Sequence, residues 1–288
     1  MRLLKILACS CALLLAGCSV TRLAYDHLDT LLHWQASNYV DLNAQQKQSF
    51  DVEIQRLWIW HRHTQLPLYA AELRQLAASV QAGPLSREQF EACSNRVAEH
   101  WIDLLGEALP GFARLQTELS DAQVADMIQR IGKEIDRKSR KTQKLSEQGR
   151  RQHMTERMDD TLQDWIGRPN AQQRQMVEQW AARVQLSTSS QAQERHANLD
   201  HFAALLATRA QPGFEQRISA FLLSDTADDP HSPEAVERVR WLQLLSDISA
   251  TLEPAQREHL RSRLLDYAAD FEALAAEHPE QETASVSP

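Results

Sequence analysis

The chain lacks most of what would brace a small extracellular fold covalently. Its 288 residues hold four cysteines, Cys9, Cys11, Cys18 and Cys93. Only Cys93 lies beyond the first twenty residues, so the body of the chain can form no internal disulfide. Glycine is scarce at eight residues, aromatics reach 6%, and β-branched residues never alternate for more than a few positions. This argues against a sheet of many short strands. There is no Gly-x-Ser-x-Gly, no Gly-rich phosphate loop and no His-Glu-x-x-His, so no hydrolase, nucleotide or zinc signature is present. Positive charge is in deficit, with a formal net charge of −8, and an acidic chain has no general attraction for nucleic acid. The abundant residues are Ala, Leu, Gln, Glu and Arg, a helical composition.

The only long apolar run is at the N-terminus, from Leu3 to Ala16 behind Arg2 and Lys5. It is too short to span a bilayer, which takes roughly 20 residues. A positive start, a short apolar stretch and small residues before a cysteine predict a signal peptide over residues 1–17. Leu15-Ala16-Gly17-Cys18 resembles the lipobox of bacterial lipoproteins. That resemblance implies that the Cys18 thiol takes a diacylglycerol, that the chain is cut before Cys18, and that the new N-terminus is acylated. The expected mature chain, residues 18–288, then carries a net charge of −10. Ser19, rather than Asp, follows Cys18, which by likeness to other lipoproteins implies the outer membrane, with the periplasmic face as the default. Only Ser19-Val20-Thr21 precede the first helical pattern, so the folded body should sit close to the bilayer.

The rest reads as an all-α bundle of about nine or ten helices over 18–278, with a disordered polar tail at 279–288. A short signal recurs: Asn43-Ala44-Gln45-Gln46, Ser86-Arg87-Glu88-Gln89, Ser120-Asp121-Ala122-Gln123, Asn170-Ala171-Gln172-Gln173 and Glu253-Pro254-Ala255-Gln256. A cap residue with Gln three positions later starts a helix, so starts are predicted near 44, 87, 121, 171 and 254. The first helix is expected from Arg22 to Tyr39, where Asp29 and His33 have the i, i+4 spacing of a surface pair. Pro67 should kink or break the second, and Pro110-Gly111 should end the third. From Ala122 to Ile166 no proline intervenes, and the spacing favours one long helix with a polar centre over the alternative, a hairpin turning at Gly149, which has no Pro or Asn-type turn residue beside it. Breaks are expected at Ser187-Thr188-Ser189-Ser190 and in an acidic loop from Ser224 to Ser232.

Few residues point to chemistry. His61 and His63 leave a helix on different faces, and His196 with Asp200 lacks a third ligand, so no metal or cofactor is expected. Cys93 lies in the apolar-periodic stretch Phe90 to Trp101 and should be buried and inert. The aromatic cluster from Trp58 to Tyr69 is mostly core by its spacing. Trp60, Arg62 and His63 fall partly off that stripe and, with Tyr69, could line a binding groove. Residues 133–157 hold nine positive and four negative charges. Arg137, Lys138, Arg140, Lys141, Lys144, Arg150 and Arg151 could form an arm for an anionic partner, a protein or an envelope polymer.

Asp29-Thr30-Leu31-Leu32-His33-Trp34, Tyr39-Val40-Asp41-Leu42 and Trp60-His61-Arg62 with Leu66-Pro67-Leu68-Tyr69 resemble a family of uncharacterised proteobacterial lipoproteins. The resemblance implies an all-helical, membrane-tethered domain and supplies no catalytic residue. The Leu85-to-Gln89 and Leu119-to-Gln123 stretches are similar to the Leu-Thr-x-x-Gln signature of Spy/CpxP-type periplasmic chaperones, with Ser for Thr. The expected role is therefore a non-catalytic envelope lipoprotein that binds a partner. A chaperone-like holdase is the alternative and an enzyme the third possibility.

Overall fold

Each recurring cap starts a helix. Asn43, Ser86, Ser120 and Asn170 accept the backbone N–H three residues on, and the glutamine there accepts the cap residue's own N–H. At the fifth site Gln256 accepts from Glu253 N at 3.1 Å, and Pro254 occupies the first turn, where no N–H is needed. Two of the starts are further pinned by apolar contact. Leu85 packs with Phe90, and Leu119 with Val124, across the cap.

A computed structural model describes residues 22, 25, 27–184, 189–224 and 233–277. Outside these lie the expected signal peptide, Cys18, part of the polar break, the acidic loop from 225 and the tail. Among the described residues there are eleven α-helices, one π segment and no strand. They are α1 (Leu28–Ser37), α2 (Ala44–Trp60), the π segment (His61–Gln65), α3 (Leu66–Ala82), α4 (Arg87–Glu118), α5 (Asp121–Gln143), α6 (Glu147–Ile166), α7 (Ala171–Arg183), α8 (Ser189–Leu206), α9 (Phe214–Ser224), α10 (Pro233–Ala250) and α11 (Pro254–Ala276). The fold is an all-α multi-helix bundle. No described helix is long and apolar enough to cross a membrane.

Three departures from the sequence reading have local causes. Pro67 does not break the second rod, because the π segment widens the turn ahead of it. Leu66 N–H reaches back to His61 O, five residues away, and the missing proline N–H falls where the ladder is already shifted. Pro110 does not end the third rod, because α4 runs through it. The neighbouring Gly111 is a close-approach residue instead, since a Cβ there would overlap the Glu53 carboxylate of α2. The single polar-centred helix is in fact two. α5 ends at Gln143, and Ser146 caps α6 by accepting Gly149 N–H at 3.0 Å. Gly149 is thus the third residue of a new helix rather than a turn.

The caps also join the bundle together. Gln46 and Gln123, 77 residues apart, exchange amide hydrogen bonds of 3.1 and 2.7 Å. Gln173 and Gln256, 83 apart, exchange two of 2.9 Å. In each case the NH2 group also donates to a backbone carbonyl five residues before the partner: Glu118, Asp41, Arg168 or Thr251. Two equivalent clasps imply two equivalent halves. Asn43-Ala44-Gln45-Gln46-Lys47-Gln48 recurs as Asn170-Ala171-Gln172-Gln173-Arg174-Gln175. Asp29-Thr30-Leu31-x-x-Trp34 recurs as Asp160-Thr161-Leu162-x-x-Trp165.

The packing follows the same duplication. α4 runs against α2, α9 and α10. The third rod of each half crosses to the other half, α5 onto α8 and α11 onto α3. Ala70 and Ala77 on α3 and Ala268 on α11 are all buried, and such small residues permit close helix approach. One core cluster is built on Leu119, Val124, Met127, Leu206 and Ile218. A second is built on Leu162, Ile166, Val177 and Ile248. A third joins Ala77, Val80, Leu85 and Leu264.

Candidate functional site: an open groove between α3 and α4

Helices α3 and α4 are connected through Gly83-Pro84 but are held by different partners. α11 covers α3, while α2, α9 and α10 hold α4. A groove of about 520 Å³ opens between them. Its apolar lining includes Leu73, Leu76, Val97, Trp101, Leu104 and Phe271. Val97 and Trp101 are 68% and 54% exposed. Exposed apolar side chains gathered in one concavity are unusual on a monomer and mark interaction sites.

The second half handles the corresponding place differently. There Phe202 of α8 and Phe221 of α9 stack with centroids 6.0 Å apart, and both pack on the first core cluster. One cleft is filled by its own aromatics and the other is open.

A small polar group lies in the open groove. His100 Nε2 is 3.0 Å from Glu72 Oε2, and Arg96 Nη1 is 3.5 Å from Glu72 Oε1. Tyr69 meets the His100 ring edge-on at 4.7 Å. Burial pushes the Tyr69 phenol above its ordinary range, and the carboxylates of Asp103 and Glu72 add to the shift. His100 Nδ1 is buried with no hydrogen-bond partner among the described residues, so it is the Nε2 side, at Glu72, that faces a polar partner. Cys93 also lines the groove and is only half-buried, contrary to the buried position its periodicity predicts. Burial raises its thiol, and of the neighbouring charges Arg96 opposes the shift while Glu72 adds to it. That is the reverse of an activated nucleophile.

Of the four groove residues expected from sequence, only Tyr69 lines this groove. Arg62 is 4% exposed, with its guanidinium 5.4 Å from the Tyr25 ring and 5.6 Å from Trp58. It also lies 3.6 Å from Glu277. Cation–π contact of this kind holds the N-terminal segment and the π segment together. Trp60 is half-buried beside His61, and His63 is exposed. His61 bonds Tyr25 Oη through Nδ1 at 3.0 Å, and burial lowers its pKa. Sequence reasoning misses Val97, His100 and Trp101, which belong to a stripe with normal helical spacing. Nothing local shows that no helix among the described residues covers this stripe.

The basic segment separates into two groups. Arg150 donates to Leu145 O at 2.8 Å, while Arg151 pairs with Glu147 and also bonds the Ala181 carbonyl. Arg137 and Lys138 both engage Glu134 at 2.7 and 3.5 Å. Arg140, Lys141 and Lys144 are exposed at the end of α5 with no side-chain partner among the described residues. The two histidines with an i, i+4 carboxylate are redirected to other helices. His33 bonds Asp51 of α2 at 2.5 Å rather than Asp29, and His196 bonds Asp136 of α5 at 2.9 Å rather than Asp200. Among the described residues no three His, Cys, Asp or Glu side chains are grouped to hold a metal ion.

The chain belongs to a family of unknown function, DUF6279, whose sequence profile matches residues 38–229. No curated protein and no solved structure matches it. The folded unit extends past the matched stretch, because α11 covers α3 and completes the third core cluster.

Proposed function

We propose that the protein is an envelope lipoprotein, held at the outer membrane by acylated Cys18, whose helical body is a non-catalytic binding module. The observation that carries this reading is the open groove, with Val97 and Trp101 exposed over an apolar floor. The ligand it suits is an apolar segment of a protein partner carrying one polar group near Glu72 and His100. The raised Cys93 thiol supports a binding role over nucleophilic chemistry. The exposed cations Arg140, Lys141 and Lys144 offer a second contact, suited to an acidic region of a partner or to an anionic polymer. Contacts there should weaken as salt rises, since exposed charges are screened beyond roughly 8 Å at physiological ionic strength.

Two measurements test the reading. Cys18→Ala should block fatty-acid labelling and release the protein from outer membranes; retention in the membrane fraction would refute the anchor. A photo-crosslinker at Trp101 should capture one discrete partner, and Val97→Arg should abolish that capture while leaving the circular dichroism unchanged. The same exposed groove favours a second reading, a holdase for unfolded chains. A holdase would suppress aggregation of unrelated proteins without ATP and give a smear of crosslinks in place of one species.

A further inference from the structure

Helix α1 has no buried residue, and none of its side chains joins a core cluster. Leu28, Leu31, Leu32 and Trp34 are 37%, 50%, 37% and 63% exposed. Leu28, Leu31 and Leu32 form an i, i+3, i+4 stripe, and Trp34 lies beside Leu31 on the helix wheel. The opposite side faces the body. His33 meets Asp51 and packs edge-on against Phe50 at 5.1 Å, and the Ser37 carbonyl accepts from Arg130 at 3.2 Å. Asp29 and His33, the charged or titratable groups of α1, thus lie off the outward stripe.

The duplicated half shows the alternative arrangement. In α6 the same Asp-Thr-Leu-x-x-Trp motif places Leu162 in the second core cluster at 5% exposure, and Trp165 packs against that cluster and the third. In the first half eight residues separate Trp34 from Asn43, against four between Trp165 and Asn170. Within that longer link Tyr39, Val40 and Leu42 pack on the first core cluster. The leucines and tryptophan of α1 are left outside.

We infer that α1 is an interfacial membrane helix, with Leu28, Leu31, Leu32 and Trp34 immersed at the level of the lipid headgroups and upper acyl chains. The occupant follows from position in the chain. Leu28 is ten residues after Cys18, and ten residues reach at most about 35 Å. An acylated Cys18 therefore confines α1 to the bilayer surface, where an uncharged Leu/Trp face is the part of the molecule that gains by immersion. Beside the lipid on Cys18, α1 supplies a second attachment that fixes how the body faces the membrane. The inference rests on the acylation reading for its geometry and is tested apart from it.

The test uses the full-length acylated protein, with Cys93→Ser, in vesicles of phosphatidylethanolamine containing one quarter phosphatidylglycerol. An environment-sensitive fluorophore is placed at Leu31→Cys, with Asn95→Cys on α4 as the reference. Position 31 should shift to the blue on vesicle incorporation and be quenched by lipids carrying a nitroxide high on the acyl chain, while position 95 stays wet. Two results would overturn the inference. Protein that floats with the vesicles while position 31 stays water-exposed retains its anchor but has no interfacial helix. A blue shift at position 31 that grows with protein concentration in the absence of vesicles would assign the face to a second copy. If acylation fails, residues 18–288 carrying Cys18→Ala, free of Cys9, Cys11 and the apolar N-terminal run, still decide the question in the same vesicles, since the shift at position 31 must then appear on vesicle addition alone or the inference is wrong.

Discussion

Replacing Gln173 by Ala should be among the most damaging single changes in the molecule, although the residue is polar and lies outside the groove. It is 0% exposed. Five hydrogen bonds end on its side chain: Asn170 N at 2.9 Å, the two amide bonds shared with Gln256 at 2.9 Å, and Thr251 O and Oγ1 at 3.3 and 3.4 Å. At about 1 kcal/mol net each, with no water able to replace them, the loss is about 3 to 5 kcal/mol. For a domain of this size that lowers Tm by roughly 6 to 20 °C. Gln123→Ala removes a bonding pattern of the same kind from the other clasp, where Gln123 stands in the place of Gln256 and Gln46 in that of Gln173. Gln123 is only half-buried, however, and water can refill its place, so about 1 to 2 kcal/mol is expected. Urea unfolding followed by circular dichroism measures both. A Gln173→Ala loss no larger than that of Gln123→Ala would refute the claim that burial makes the clasp strong. A Gln173/Gln256 double-mutant cycle should show coupling of about 1 to 2 kcal/mol; additivity would mean the two glutamines act separately.

Other outcomes follow from single contacts. Gly111→Ala should destabilise the wild type by displacing Glu53 from Arg114, its partner at 2.6 Å. In a Glu53→Ala background the same change should stabilise by about 0.5 to 1 kcal/mol, the helix propensity gain; thermal melts of the four proteins decide it. His61 has its folded pKa lowered by burial, so the unfolded chain takes up its proton first as pH falls. Its share of stability is intact above about pH 7 and lost as pH drops through the range below about 6.5, and His61→Gln should flatten the stability–pH curve there. Cys93 should react with iodoacetamide more slowly than a free cysteine at about pH 8, with the rate still climbing above about pH 9, because burial raises its thiol. A fast, pH-independent reaction would contradict the groove's description.

Helix starts are legible in the sequence because a cap is a local contest. Asn43 or Ser120 needs only the N–H three residues on, and the answer is written within four positions. Helix ends at proline are not, because continuity depends on distant partners. Gly111 continues α4 by letting α2 approach, and no sequence window around Pro110 contains Glu53. The split at 144–146 is legible in principle. Ser146 is a good cap, but Gly149 has no Pro or Asn-type turn residue beside it, so the apolar spacing across it reads as one continuous helix. The glutamine clasps are hidden behind the caps, since the cap uses one lone pair of each side-chain oxygen and nothing local says where the NH2 group goes. The groove is the least legible part. Val97 and Trp101 keep the spacing of a buried stripe, and their exposure is decided by which helix fails to arrive.

The crossing of α11 onto α3 also sets the order in which the molecule can be completed. Arg74 and Glu272 join across this contact at 2.6 Å, 198 residues apart. Contacts of such sequence separation form late and slow the search for the native state. A chain that emerges N-terminus first must hold the α3 side of the third cluster uncovered until α11 is free. Neither half is a module that could be cut out and kept. Removing the final helix would strip the cover from a rod that began at Ala44, and the protein should melt as one cooperative body rather than as two.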